Sequence, residues 1–157
     1  MDRLSQFLRS HYKEHGTQRY ILKYDIRHYF DNIDHDVLKE RLRKIPDRNV
    51  LGLLYHIINS YVKEKNPITG EEKGLPMGNQ TSQWFALYSL DPMDRLIKEK
   101  MRIKYYIRYM DDGILIHESK EYLQQVRMEM ECMAKELKLE FNDKTQIKRS
   151  IVSYRGH

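Results

Sequence analysis

The sequence predicts an α+β fold in which βαββαβ chain order packs an antiparallel sheet against helices on one face. Three observations carry this expectation. RYILKYDIRHYF alternates with period two, placing Leu22, Tyr24 and Ile26 on one face and Lys23, Asp25 and Arg27 on the other. YYIRYMDDGILIH, residues 105–117, flanks an Asp-Gly pair with β-branched and aromatic residues, the composition of a hairpin. The intervening and following segments carry apolar residues at helical spacing.

The elements follow in order. Residues 3–14 form a helix with Leu4, Phe7, Leu8 and Tyr12 on one side, closed by Gly16. After the first strand, Asp34 N-caps a helix over 35–44 that turns Val37, Leu38 and Leu42 inward. Pro46–Asp47 starts another, running to residue 60 with Val50, Leu54, Ile57 and Tyr61 at helical spacing. KEKNPITGEEKGLPMG has turn residues and no periodicity, so it is a loop or a short β-excursion. A helix over Gln80–Met101 brings Phe85, Met93, Leu96 and Ile97 to the core, with Pro92 kinking it or ending its first half. The hairpin over 104–117 turns at Asp112–Gly113. A helix over 119–138 shows a stripe of Tyr122, Val126, Met130, Met133 and Leu137, and short strands at 139–141, 145–148 and 151–154 close the chain.

Bulk properties exclude several classes. At 157 residues the chain is one domain with room for a core. One cysteine, Cys132, excludes an internal disulfide framework and suits a reducing cytosol, so the expected location is cytoplasmic. No apolar run reaches the roughly 18–20 residues that span a bilayer, and MDRLSQFLRSHYKEHG is no signal peptide. Lysine and arginine exceed aspartate and glutamate by 28 to 23, which permits a nucleic-acid partner without requiring one.

In this topology the first strand and the hairpin are neighbours at the sheet centre, so Asp25 comes beside Asp111 and Asp112. Three carboxylates on one exposed face repel unless something neutralises them. Hard oxygen ligands select Mg²⁺. Two such ions about 3.5–4 Å apart clamp the attacking and leaving oxygens of an in-line phosphoryl transfer.

LKYDIRHYFDNIDH, GLPMGNQTSQWFA and YIRYMDDGILI, in that order, resemble palm motifs A, B and C of reverse transcriptases. LKLEFNDKTQI is similar to the motif that follows, and VSYRGH to the start of the primer grip. The resemblance spans residues 20–157 and implies a ferredoxin-like polymerase palm. Gln83 after Ser82, where retroviral and most intron-encoded enzymes carry proline, is most similar to the diversity-generating retroelement branch and unclassified bacterial relatives.

The resemblance implies a role for each matching residue. Asp25 and Asp111 are the main metal ligands and Asp112 supports them, holding two Mg²⁺, with Mn²⁺ as substitute. Phe30 is the gate that rejects a ribose 2′-hydroxyl by clash. Pro76, Met77, Gly78, Gln80 and Ser82 belong to the loop and helix start that meet the incoming dNTP, Met77 standing where the retroviral pattern has glutamine. Tyr109 and Met110, with Tyr154 and Gly156 of the primer grip, lie near the primer end. Lys144 neutralises or protonates the leaving pyrophosphate, an electrostatic role. Lys23 and Arg27, which flank Asp25, offset carboxylate charge or meet phosphate.

The implied partners are an RNA template, a DNA or RNA primer and dNTPs, with no membrane. Residues 1–19 read as a helical remnant of the fingers–palm connection and 20–157 as the palm, with most of fingers and thumb absent. A palm without them holds template and nucleotide weakly, so the chain alone is expected to be weakly active or inactive. Its cut faces favour self-association. Two alternatives stand beside RNA-directed DNA synthesis: an RNA-directed RNA polymerase, which Phe30 opposes, and a non-catalytic RNA- or protein-binding palm, which the retained aspartates oppose.

Overall fold

The computed structural model describes residues 3–150. Helix α1 (Arg3–His15) leads into strand β1 (Tyr20–Tyr24). The single turn α2 (Tyr29–Asn32) follows, then α3 (His35–Leu42) and α4 (Arg48–Asn59). A small ribbon of β2 (Glu64–Lys65) and β3 (Glu72–Lys73) precedes α5 (Gln80–Ser89) and α6 (Asp91–Arg95). A π-helical turn, Leu96–Lys100, leads to β4 (Tyr105–Tyr109) and β5 (Asp112–His117). Helix α7 (Lys120–Glu136) and strand β6 (Gln146–Arg149) complete the described chain.

The main sheet has the order β4-β5-β1-β6, antiparallel throughout. β1 is central, pairing Tyr24 with Gly113 and Leu22 with Leu115 on one side, and Leu22 with Ile147 on the other. Period-two alternation sends Leu22, Tyr24 and Leu115 into the core, where they join Leu90 and Met93, Ile97 of the π turn, and Leu123, Val126 and Met130 of α7. This is the expected α+β sheet with its helical layer. Helix α1 lies on the other face: Phe7 and His11 meet Tyr105 edge-on at 5.4 Å, and Tyr105 pairs with Ile116.

Caps fall where the sequence puts them. The Asp34 carboxylate accepts from the backbone N–H of Asp36 and Val37, and Asp47 from Asn49 and Val50. Several details differ. Val50 is exposed, because α4 turns Ile58 inward instead. The 80–101 segment is three pieces; of the two outcomes expected at Pro92 the ended first half is the one found, since α5 stops at Ser89 and Pro92 sits in the first turn of α6. The strand expected at 139–141 is a single bridge between Ile26 and Phe141, and the one expected at 151–154 lies outside the described residues.

The hairpin turn is also shifted. Tyr109 pairs with Asp112, so Met110 and Asp111 form the two-residue loop, and Asp112–Gly113 already belongs to β5. Met110 takes φ 53°, the positive value that primed hairpin turns require at their first position. Gly113 serves a different need from the turn. A Cβ there would collide with the ring of Tyr24, which is wholly buried. Gly113→Ala should therefore destabilise by about 1–3 kcal/mol. Gly52→Ala on α4, where a Cβ meets nothing, should stabilise by about 0.5–1 kcal/mol. Urea midpoints of the two variants check this, and equal shifts would contradict the packing described.

Candidate active site

β1 and the β4–β5 hairpin bring two of the predicted aspartates to one cleft of about 590 Å³, lined by Asp25, Phe30, Met77, Asp111 and Asn142 among others. Asp25 follows β1 directly, on the face opposite Tyr24, and Asp111 is the second residue of the hairpin loop. Asp112 starts β5, exposed and outside the cleft lining. Among the described residues no lysine, arginine or histidine pairs with any of the three. Burial raises the Asp111 carboxyl above the usual range, and the charges of Asp25 and Asp112 push it further. An uncompensated pair of hard oxygen donors on one cleft fits a divalent cation of the Mg²⁺ or Mn²⁺ type. The three aspartates are near one another but not closed around a common point, since their ligand atoms do not all lie within 4.8 Å.

Each carboxylate has its own support. Asn142 Nδ2 donates to Asp25 Oδ2 at 3.0 Å, and the Asn142 N–H donates to the Asp25 carbonyl at 2.7 Å. Asn142 lies in LKLEFNDKTQI between two expected strands, beside the equally polar Asp143 and Lys144, so no local pattern marks it as a partner of Asp25. The Asp111 turn is anchored from below. Arg108 Nη1 donates to the Met110 carbonyl at 2.7 Å, while its Nε and Nη2 fork onto the two oxygens of Asp94 at 2.8 and 2.5 Å. Burial opposes the Arg108 charge, but the Asp94 hydrogen bonds outweigh it and hold the guanidinium protonated. Tyr106 donates to the same Asp94 oxygen at 2.7 Å, and its hydroxyl shares a 2.8 Å bond with that of Tyr24. This partly buried chain of polar groups runs from β1 through β4 and Asp94 of α6 to the hairpin loop.

Phe30 sits on α2, half-buried, with its ring 5.8 Å from that of Tyr29 and its edge in the cleft. Its position is fixed by the loop that follows β3. The Leu75 N–H donates to the Phe30 carbonyl at 2.8 Å, Gly74 N–H to Ile33 at 2.9 Å, and His35 Nε2 to the Gly74 carbonyl at 2.7 Å. Lys138, at the end of α7, clamps Asp34 and Glu71 at 3.1 and 2.5 Å. The loop therefore delivers Met77, highly exposed, to the rim facing Phe30. His28, also in the lining, takes φ 45°, so two strained non-glycine residues, His28 and Met110, border the aspartates.

The remaining predicted residues are dispersed. Pro76, Gly78 and Gln80 lie on the chain beside Met77 but outside the lining, and Gly78 has φ 83° in open space. Ser82, on α5, is buried. Tyr109 is the most exposed aromatic of the hairpin. Lys144 is exposed on the loop after Asn142. Lys23 is exposed on the open face, and Arg27 is engaged by Asp143 at 2.8 Å rather than by Asp25. Tyr154 and Gly156 lie outside the described residues.

The fold is similar to that of telomerases. The apo telomerase of Candida tropicalis truncated from its C-terminal domain superposes with TM-score 0.65 at 19% identity, over 98% of this chain and 35% of that one. Telomerase from the same organism in complex with a TWJ fragment of telomeric RNA gives TM-score 0.67 at 16% identity, over 94% and 28%. The Candida albicans enzyme with such a fragment gives 0.64 at 16%, over 96% and 30%. The chain thus spans about a third of the length of these solved structures. Among curated proteins no sequence matches it. The family described as reverse transcriptase (RNA-dependent DNA polymerase) matches along residues 1–157, and the chain belongs to that family.

Proposed function

We propose that this chain is the catalytic palm of an RNA-directed DNA polymerase that adds dNTPs to a DNA or RNA primer on an RNA template. The observation that carries the reading is the cleft in which Asp25 and Asp111, without basic partners, face Phe30 and Met77. Asp25 and Asp111, with Asp112 beside them, would hold two Mg²⁺ ions. Bound there, such ions supply an acidified primer hydroxyl and charge stabilisation of the leaving pyrophosphate. Asn142 orients Asp25 and Arg108 holds the loop of Asp111. Phe30 occupies the floor where a sugar 2′-hydroxyl would lie and discriminates by clash.

Gln83 after Ser82 is the feature that favours a diversity-generating or related bacterial retroelement as the source, and the single cysteine, exposed Cys132, is the one that favours the cytoplasm. In this reading residues 20–157 belong to the palm, and the chain alone is weakly active or inactive.

Primer extension on an RNA template tests the proposal, with dNTPs and rNTPs side by side, using this chain and one extended by fingers and thumb. The extended protein should extend with dNTPs alone, and Phe30→Val should raise rNTP use at least tenfold. Unchanged sugar selection would remove Phe30 from the gate. No extension by a folded long form would favour a binding palm.

A further inference from the structure

A second cluster lies where α1 crosses the far end of the hairpin. His11 and His15, four residues apart on α1, have ring centroids 4.7 Å apart. Their Nε2 atoms stand 4.0 and 3.9 Å from Glu118 Oε2, just beyond β5. Among the described residues these three are the only such group with ligand atoms all within 4.8 Å of one another. Tetrahedral zinc with bonds of about 2.0–2.2 Å places ligands roughly 3.3–3.6 Å apart, so binding requires the two His–Glu118 separations to shorten by about half an ångström.

The strongest evidence is His11 itself. Its side chain is wholly buried, and neither ring nitrogen has a hydrogen-bond partner. A buried polar group left unpaired is costly, and a metal would satisfy one nitrogen directly. His117 stands beside the group: the Ser119 N–H donates to its Nδ1 at 3.0 Å, and its Nε2 is 3.7 Å from Glu118 Oε2.

We infer that His11, His15 and Glu118 form a site for a divalent transition-metal ion of the zinc class, which fastens α1 to the end of β5. Two imidazoles and one carboxylate suit zinc rather than Mg²⁺. Glu118 lies at the end of β5 opposite Asp112, about 17–20 Å away along the strand, so the site is independent of the aspartate cleft.

The test is a zinc titration of the metal-stripped chain, followed by calorimetry and thermal unfolding. One ion should bind per chain, and the unfolding temperature should rise by about 5–10 °C at a hundredfold excess over Kd. His15→Ala and Glu118→Gln, both at partly exposed positions, should each weaken binding at least tenfold and lose the shift, while Asp111→Asn keeps it. Absence of a zinc shift in the parent chain, or an undiminished shift in both variants, would overturn the inference.

Discussion

Asp111→Asn, in a chain extended by fingers and thumb, should reduce primer extension by roughly 10³-fold or more, because it removes a metal ligand at the reacting centre. The described chain gives a second readout. Mg²⁺ or Mn²⁺ should raise its unfolding temperature by mass action, and the variant should erase the rise. Without metal the sign reverses. The folded-state pKa of Asp111 is raised, chiefly by burial and then by Asp25 and Asp112, so its ionised form costs stability. That cost is absent below the ordinary aspartate value and complete once pH exceeds the folded pKa. At neutral pH the metal-free variant should therefore unfold at a higher temperature than the parent. A metal-induced shift that survives the substitution would exclude Asp111 as a ligand.

Arg108→Met should give the largest loss of stability, about 3–5 kcal/mol, because it leaves the partly buried Asp94 carboxylate without its counter-charge, still accepting from the Tyr106 hydroxyl. For a chain of this size the unfolding temperature falls on the order of 10 °C. Arg108→Met with Asp94→Leu removes both charges and should recover most of that loss. The Met110 carbonyl would still lack its donor. Metal affinity at the Asp25–Asp111 cleft should therefore stay reduced in the stable double variant. Full recovery of the Mg²⁺-induced shift would reduce Arg108 to a purely structural role.

The sequence revealed what depends on periodicity and short-range chemistry. The alternation around Tyr24, the cap at Asp34 and the stripe through Val126 and Met130 each follow from one local pattern, and all three stand in the structure. The juxtaposition of Asp25 with Asp111 followed from the order of strands. The hairpin turn did not. Asp-Gly is a strong turn signal, but Gly113 is required by the Tyr24 ring, a contact with a residue 89 positions earlier. The strained loop passed to Met110. The fork of Arg108 on Asp94, the grip of Asn142 on Asp25 and the cluster around His11 were equally hidden, because each joins elements whose relative placement no single stretch encodes.

The central position of β1 bears on how the protein comes into being. Its first neighbour, β5, starts at Asp112, and its second, β6, starts at Gln146. During synthesis β1 is made early and waits without a partner while nearly ninety residues are added. Pairings so distant in sequence make folding slow and leave a strand edge open in the meantime. Helices α3 and α4 have local contacts available throughout and can consolidate first. The sheet centre then closes late, and Asp25 meets Asp111 only in that closing event. A nascent or truncated chain that ends before the hairpin therefore has no paired carboxylates with which to capture a metal ion.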